Sequence, residues 1–370
     1  MPGPHGNAMT GLLPEGFDDR LPPHADAAAR LERGVLDAAR LHGYEQVDPP
    51  LVEFADELAR RLKAGAVRDA VRFVDPLSQR TLAIRPDITA QVGRIAATRM
   101  AHHPRPVRLS YAGPVVKLRG SELRPARALR QIGVELIGSD SVAAAREVVT
   151  VAVEALVAAG VTGISVDFTL PDLLATLAGE TLAAETLAAL SDALDAKDAG
   201  RVAAIDAGYL PLIEAAGPFD TAIARLRDHG ALASRLDGLA AIAAALPGGI
   251  GLTLDPTERH GFEYQSWLGF SIFGGGAPGE IGRGGCYTIV HDDGSEEAAV
   301  GVSIFADPIL AGLGREVERR RLFLPFGTDP ATGARLRGDG WVTVAALTIE
   351  DTPEAQLCTH WLSAAGPEPL

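Results

Sequence analysis

The sequence is short of cysteine, of aromatic residues and of positive charge, and each shortage removes a class of protein. Only two cysteines, Cys286 and Cys358, occur among 370 residues. They allow no disulfide framework and no Cys-x-x-Cys zinc spacing, and they read as reduced packing thiols of a cytosolic protein. Lys and Arg number 34 against 48 Asp and Glu, a net charge of −14. That balance excludes a broad nucleic-acid-clamping surface, which needs clustered Lys and Arg, while leaving room for a local basic pocket. Long apolar runs are also missing: Glu154 interrupts VVTVAVEALVAAG, and Pro247 with two glycines ends LAAIAAALPGG. Neither reaches the ~18 residues of a membrane span, so no membrane association is expected. The N-terminal MPGPHGNAMTGLLPEGFDD has no basic stretch leading into an apolar one, so it does not read as a secretory signal.

Chemical signatures are equally sparse. No G-x-G-x-x-G follows a strand, and no G-x-x-x-x-G-K-[ST] or G-x-S-x-G occurs. The nine histidines form no H-E-x-x-H pair, so no metal site is expected, and no cofactor is implied. What remains is 47% hydrophobic and 22% charged, the composition of a folded chain, long enough for two to three domains at ~150 residues each.

Periodicity supplies the architecture. Leu31, Val35, Leu36 and Ala39 form one helical stripe between Asp26 and His42, closed by Gly43. YEQVDPPLVEF reads as a strand entering a Pro-Pro turn, and RFVDPLSQRTLAIRPD as two strands around Pro76–Gln79. A helix is predicted after Asp87. PVRLSYAGPVVKL and RALRQIGVELIGSD read as strands, SVAAAREVVTVAVEALVAAG as an amphipathic helix capped by Ser141 and stopped by Gly160, and ISVDFTL as another strand. From 171 to 247 the text is Ala/Leu-rich and helical, after which strand-like segments return. Strands in runs and helices in blocks indicate an α+β fold with a largely antiparallel sheet. The glycine-rich GGGAPGEIGRGG of 274–285 reads as a flexible turn between strands, and REVERRR of 315–321 as an exposed helix end.

Three polar residues stand out. Gln131 and Glu135 are four apart on a strand, an even spacing that aims both at one face, and Asp87 precedes the next helix upstream. Acidic groups and an amide on one face suit a ligand ammonium. The same residues could instead pair with Arg119, Arg127 or Arg130, and the basic loop Lys117–Arg130 could grip phosphate or stand solvated.

The order of motifs resembles a known family. LLPEGFDD, YEQVDPPLVEF with Pro50, LAIRPDITAQVGR, YAGPVVKLRGSELRPARALRQIGVELIG, HGFEY, GRGGCY and AAVGVSIFADPIL together resemble the class II catalytic domain of histidyl-tRNA synthetase. They resemble still more its non-aminoacylating relative, the regulatory subunit of ATP phosphoribosyltransferase. The resemblance runs from about Leu12 to Leu313. It implies a discontinuous synthetase-like domain over 1–170 and 248–325, a helical insertion over 171–247, and a short C-terminal segment over 326–370 with no anticodon-binding domain. It also places Asp87, Thr89, Gln131, Glu135 and Tyr264 at positions that contact histidine in the synthetases.

The departures imply silence. Where synthetases carry arginine for ATP, the motif-2 position here is Lys117 and the motif-3 position Pro308. The glutamate beside the first is Arg119, and the two remaining arginine positions are His260 and Cys286. Adenylation relies on pre-placed positive charge, and losing one such donor costs on the order of 10² to 10³ in rate. The implied protein is therefore a catalytically silent, cytoplasmic subunit. Its expected partners are the short-form ATP phosphoribosyltransferase catalytic subunit, histidine as ligand, and a second copy through the Pro50 region. A truncated synthetase and a free-standing histidine-binding module remain the alternatives.

Overall fold

A computed structural model describes residues 12–60, 70–120, 125–179, 181–259, 265–312 and 320–370. The chain divides into two compact units, Met1–Gly314 and Arg315–Leu370.

The first unit opens with helix α1 (His24–Leu41), strand β1 (Glu45–Gln46), strand β2 (Val52–Phe54), helix α2 (Ala55–Arg60) and the hairpin β3 (Val71–Val74) and β4 (Thr81–Ile84). Helix α3 (Thr89–Thr98), the long strands β5 (Val107–Val116) and β6 (Ala128–Ile137), helix α4 (Val142–Ala158) and β7 (Ser165–Thr169) follow. The Ala/Leu-rich block folds as α5 (Leu173–Ala178), α6 (Ala184–Asp195), α7 (Ala199–Asp206), α8 (Leu210–Glu214), α9 (Phe219–Leu226) and α10 (Ala233–Ala243), with a two-residue strand β8 (Gly217–Pro218) before α9. Then come β9 (Gly251–Leu254), β10 (Gln265–Phe273), β11 (Glu280–Val290), β12 (Glu296–Phe305) and α11 (Ala306–Gly312).

Nine strands form one sheet in the order β1-β5-β6-β12-β11-β10-β7-β9-β8. Its centre, from β5 to β7, is antiparallel throughout, as the α+β reading expects. Side chains alternate between the faces of a strand, so each strand contributes two sets. Ile132, Val134 and Leu136 of β6, Val300, Val302 and Ile304 of β12, Phe270 and Ile272 of β10 and Val166 and Phe168 of β7 share one apolar core with α1 and α4. Leu190, Leu194, Val202, Leu226 and Leu236 of the helical block join that same core. Ser141 caps α4, its Oγ accepting from the Ala144 amide at 3.3 Å, and Gly160 ends it with φ +83°.

The other face carries polar residues and glycine. Solvent normally covers the polar face of an antiparallel sheet, yet Gln131 is 0%, Glu135 1%, Ser271 1% and Ser303 6% exposed. This polar face is interior, so every group on it needs a partner.

Glu280–Gly285, expected to be a turn, instead begins β11. The glycine there answers a packing demand: a Cβ on Gly284 would overlap the Phe270 ring and the Gly301 carbonyl.

The second unit holds β13 (Arg321–Leu324), α12 (Pro330–Gly338), β14 (Val342–Ala345), β15 (His360–Ser363) and β16 (Gly366–Pro369). Its sheet runs β14-β13-β15-β16, and Leu322, Leu324, Leu336, Trp341 and Leu362 form its core. The unit therefore starts at Arg315 and not at 326, because β13 is a central strand of it. Arg321, read as part of a helix end, opens that strand; 315–319 lie outside the described residues.

Candidate functional site

The polar face converges on Glu135. Its Oε1 accepts from the Tyr111 hydroxyl at 3.0 Å and its Oε2 from the Tyr287 hydroxyl at 2.7 Å. Burial pushes this carboxyl up to about 8; the two phenol hydrogen bonds pull it back only in part, and the charge of Asp87 adds to the rise. Burial likewise raises the Tyr111 phenol, with Glu135 and Asp87 adding to it.

Asp87 is half-buried just before α3. Its Oδ1 accepts from the Thr89 amide at 2.7 Å, and its Oδ2 from the Gln131 side-chain nitrogen at 2.9 Å. Gln131 is fixed at both ends. Its oxygen accepts from the Ile88 amide at 3.1 Å, while its nitrogen also donates to Ser303 Oγ at 2.7 Å. The Tyr111 hydroxyl closes the ring, 3.2 Å from both Thr89 Oγ1 and Ser303 Oγ. Glycine makes room for it: a Cβ at Gly133 would overlap the Tyr111 hydroxyl, and one at Gly301 would overlap the Glu135 carboxyl.

The even spacing of Gln131 and Glu135 thus brings both into one cluster with Asp87 and Thr89. Neither acid pairs with the arginines offered as alternatives. Arg130 binds Glu32 at 2.5 Å, and Arg127 donates to the Lys117 carbonyl at 3.2 Å and lies 4.8 Å from the centre of the Phe17 ring. Tyr264 and His260 lie outside the described residues. Lys117 is half-buried just past β5, and Arg119 is exposed. Pro308 lies within α11, and its neighbour Asp307 is held by Arg20 and by the Arg130 amide. Cys286 belongs to the apolar core, on the face away from Glu135, and burial raises its thiol pKa well above the ordinary value.

Tyr111, Tyr287 and Ser303 were not singled out from sequence. Alternation within VRLSYAGPVV, GRGGCYTIV and AAVGVSIF marks one face of each strand, but only the register between strands joins them.

The arrangement suits a cation with several N–H donors. Two carboxyls belong to one hydrogen-bonded cluster, the buried Glu135 and the half-buried Asp87, and a bound positive charge would offset the cost of ionising Glu135. Among the described residues no group of three His, Cys, Asp or Glu side chains could hold a metal ion, and no helix is long and apolar enough to cross a membrane.

Comparison with known proteins matches residues 16–309 to the histidyl-tRNA synthetase family model. The ATP phosphoribosyltransferase regulatory subunit of Rhodospirillum centenum is 42% identical over 347 residues, covering 91% of this chain and 89% of that protein. The one of Paramagnetospirillum magneticum is 40% identical over 376 residues, covering 97% and 98%. Among solved structures, an ATP phosphoribosyltransferase regulatory subunit/histidyl-tRNA synthetase from Bacillus halodurans superposes with a TM-score of 0.79 at 19% identity, covering 98% of both chains. A chain of the ATP phosphoribosyl transferase (HisG:HisZ) complex from Thermotoga maritima gives 0.60 at 20% identity, covering 75% of this chain and 97% of that one. At such identities the two structures establish a shared fold.

Proposed function

The chain belongs to the histidyl-tRNA synthetase-like family of ATP phosphoribosyltransferase regulatory subunits, and from that premise we propose that it joins the short catalytic subunit of that enzyme and conveys feedback by histidine. In this reading it is the non-catalytic member of a cytoplasmic hetero-oligomer that performs the first step of histidine biosynthesis. The carrying observation is the cluster of half-buried Asp87 with buried Gln131 and Glu135, suited to an ammonium, on a sheet whose phosphate-gripping positions, by the family resemblance, lack arginine. Pro308 offers no side-chain donor, and Cys286 sits on the wrong face for any ligand of Glu135. A site that holds an amino acid but does not activate it can serve as a sensor. A coupling of about 1–3 kcal/mol between subunits shifts affinity several-fold to a hundred-fold.

Self-association is part of the proposal. The Pro49–Pro50 turn after α1 is braced from within: Arg85 donates to the Pro49 carbonyl at 2.7 Å, and Gln91 to the Pro50 carbonyl at 2.7 Å.

The decisive measurement mixes the purified chain with the short catalytic subunit and follows phosphoribosyl transfer to ATP. Activity should appear only with both chains and fall when histidine is added. Absence of a complex and of any gain in rate overturns the proposal. Histidine-dependent exchange of pyrophosphate into ATP by the chain alone would instead support the truncated synthetase.

A further inference from the structure

The helix-packed face of the sheet carries a second concavity, away from Glu135. Arg108 of β5 pairs in register with Leu136 of β6, and Leu136 belongs to the apolar core. Side chains alternate along a strand, so both stand on the side opposite Glu135. Together with the first turns of α4 and with Ala245, just past α10, they line a cleft of about 530 Å³. That volume falls within the roughly 300–1,000 Å³ of small-molecule sites.

We propose that this cleft binds the phosphate group of a phosphorylated small molecule. The balance of donors and acceptors carries the inference. Glu147, the carboxylate in this lining, is already engaged at both oxygens. Its Oε1 accepts from Arg108 Nε at 2.6 Å and from the Tyr44 hydroxyl at 3.1 Å, and its Oε2 accepts from Arg108 Nη2 at 2.8 Å. The bonds from Arg108 hold the Glu147 carboxyl below its ordinary value. What stays open is donors. Among the described residues Arg108 Nη1 makes no hydrogen bond, and Arg146, exposed on α4, has no hydrogen-bond or ion-pair partner. Ser141 Oγ accepts from the Ser139 hydroxyl at 3.0 Å and from the Ala144 amide at 3.3 Å, so its own hydrogen is left to donate. Two guanidinium groups therefore stand against one spent carboxylate, a local reversal of sign in a chain of net charge −14. Such a concavity concentrates anions. A phosphate ester, with three acceptor oxygens and a charge of about −1.5 to −2, matches these donors better than a carboxylate does.

Inorganic phosphate, glucose 6-phosphate and glucose provide the test. Each is titrated calorimetrically into the full-length chain and into its R146Q and R146K variants, at constant ionic strength so that general screening is equal throughout. Circular dichroism confirms that each variant is folded. Glucose 6-phosphate should bind the unaltered chain at least about tenfold more tightly than glucose. R146Q should weaken both phosphates about fivefold or more and leave glucose unchanged. R146K, which keeps the charge but loses the fork, should fall between. Equal affinity for glucose 6-phosphate and glucose, or unaltered phosphate affinity in R146Q, overturns the proposal. Displacement of phosphate by histidine places the anion on the Glu135 side of the sheet and overturns it as well. The titrations use no catalytic subunit, so their result stands apart from the function proposed above.

Discussion

The two faces of the nine-stranded sheet are both buried, and for opposite reasons. On the helix-packed face, Val134, Leu136, Val302, Ile304 and Phe270 leave water because apolar area is better hidden. On the other face Gln131, Glu135, Tyr111 and Ser303 are buried at a desolvation cost, which a closed set of hydrogen bonds offsets. The first face is where stability resides, and many sequences would supply it. The second is a site, because each of its groups is useful only in one geometry.

The largest effect should come from the apolar face. Phe270 is fully buried against the Gly284 backbone. Phe270→Ala should cost about 3–5 kcal/mol in urea denaturation, because removing the ring leaves a cavity the strands cannot close. A cost below about 1 kcal/mol would dissolve the distinction between the faces.

The next effect comes from the polar face and depends on pH. Glu135 titrates at about 8 in the folded chain, against an ordinary value of 4.5. Between those values the folded chain holds a proton that the unfolded chain has released, so stability falls as pH rises through this window. Glu135→Gln removes that slope, keeps a group able to hydrogen-bond both tyrosines, and abolishes attraction for a cation. Urea melts between pH 5 and 9 should show the variant gaining on the unaltered chain as pH rises. Parallel curves would mean that Glu135 is ionised in the fold.

How much of this was legible in sequence follows from how local each feature is. The stripe Leu31, Val35, Leu36 and Ala39 and the caps at Ser141 and Gly160 lie within single elements, so periodicity and capping disclose them. Gln131 and Glu135 share one strand, so their common face was readable too. Tyr111, Tyr287 and Ser303 meet only through a register among strands far apart in the chain, which no local pattern encodes. The glycines of 280–285 misled for the same reason: local text equates them with a turn, whereas they lie in β11, where the close approach of Phe270 and Gly301 leaves no room for a side chain at Gly284. The start of the second unit was displaced because its central strand is short and opens with a charged residue, Arg321.

The smallest effects should separate two adjacent residues of β11. Cys286 and Tyr287 differ by one position and therefore face opposite ways. Cys286 packs in the apolar core, and Tyr287 donates to Glu135 at 2.7 Å. Cys286→Ala should lower stability by ~1 kcal/mol through the lost volume and leave histidine affinity unchanged. Tyr287→Phe removes one hydrogen bond from the Glu135 carboxylate while keeping the ring, so stability should fall by only ~1 kcal/mol or less. Its main consequence is electrostatic: without that donor the Glu135 pKa rises further, and a cationic ligand must offset a larger cost of ionisation. Calorimetry near pH 7 should therefore show weaker histidine binding in Tyr287→Phe and a larger proton release on binding, with neither change in Cys286→Ala. If Cys286→Ala weakened binding as much as Tyr287→Phe, the sheet would be transmitting strain between its faces, and the division of labour drawn from them would fail.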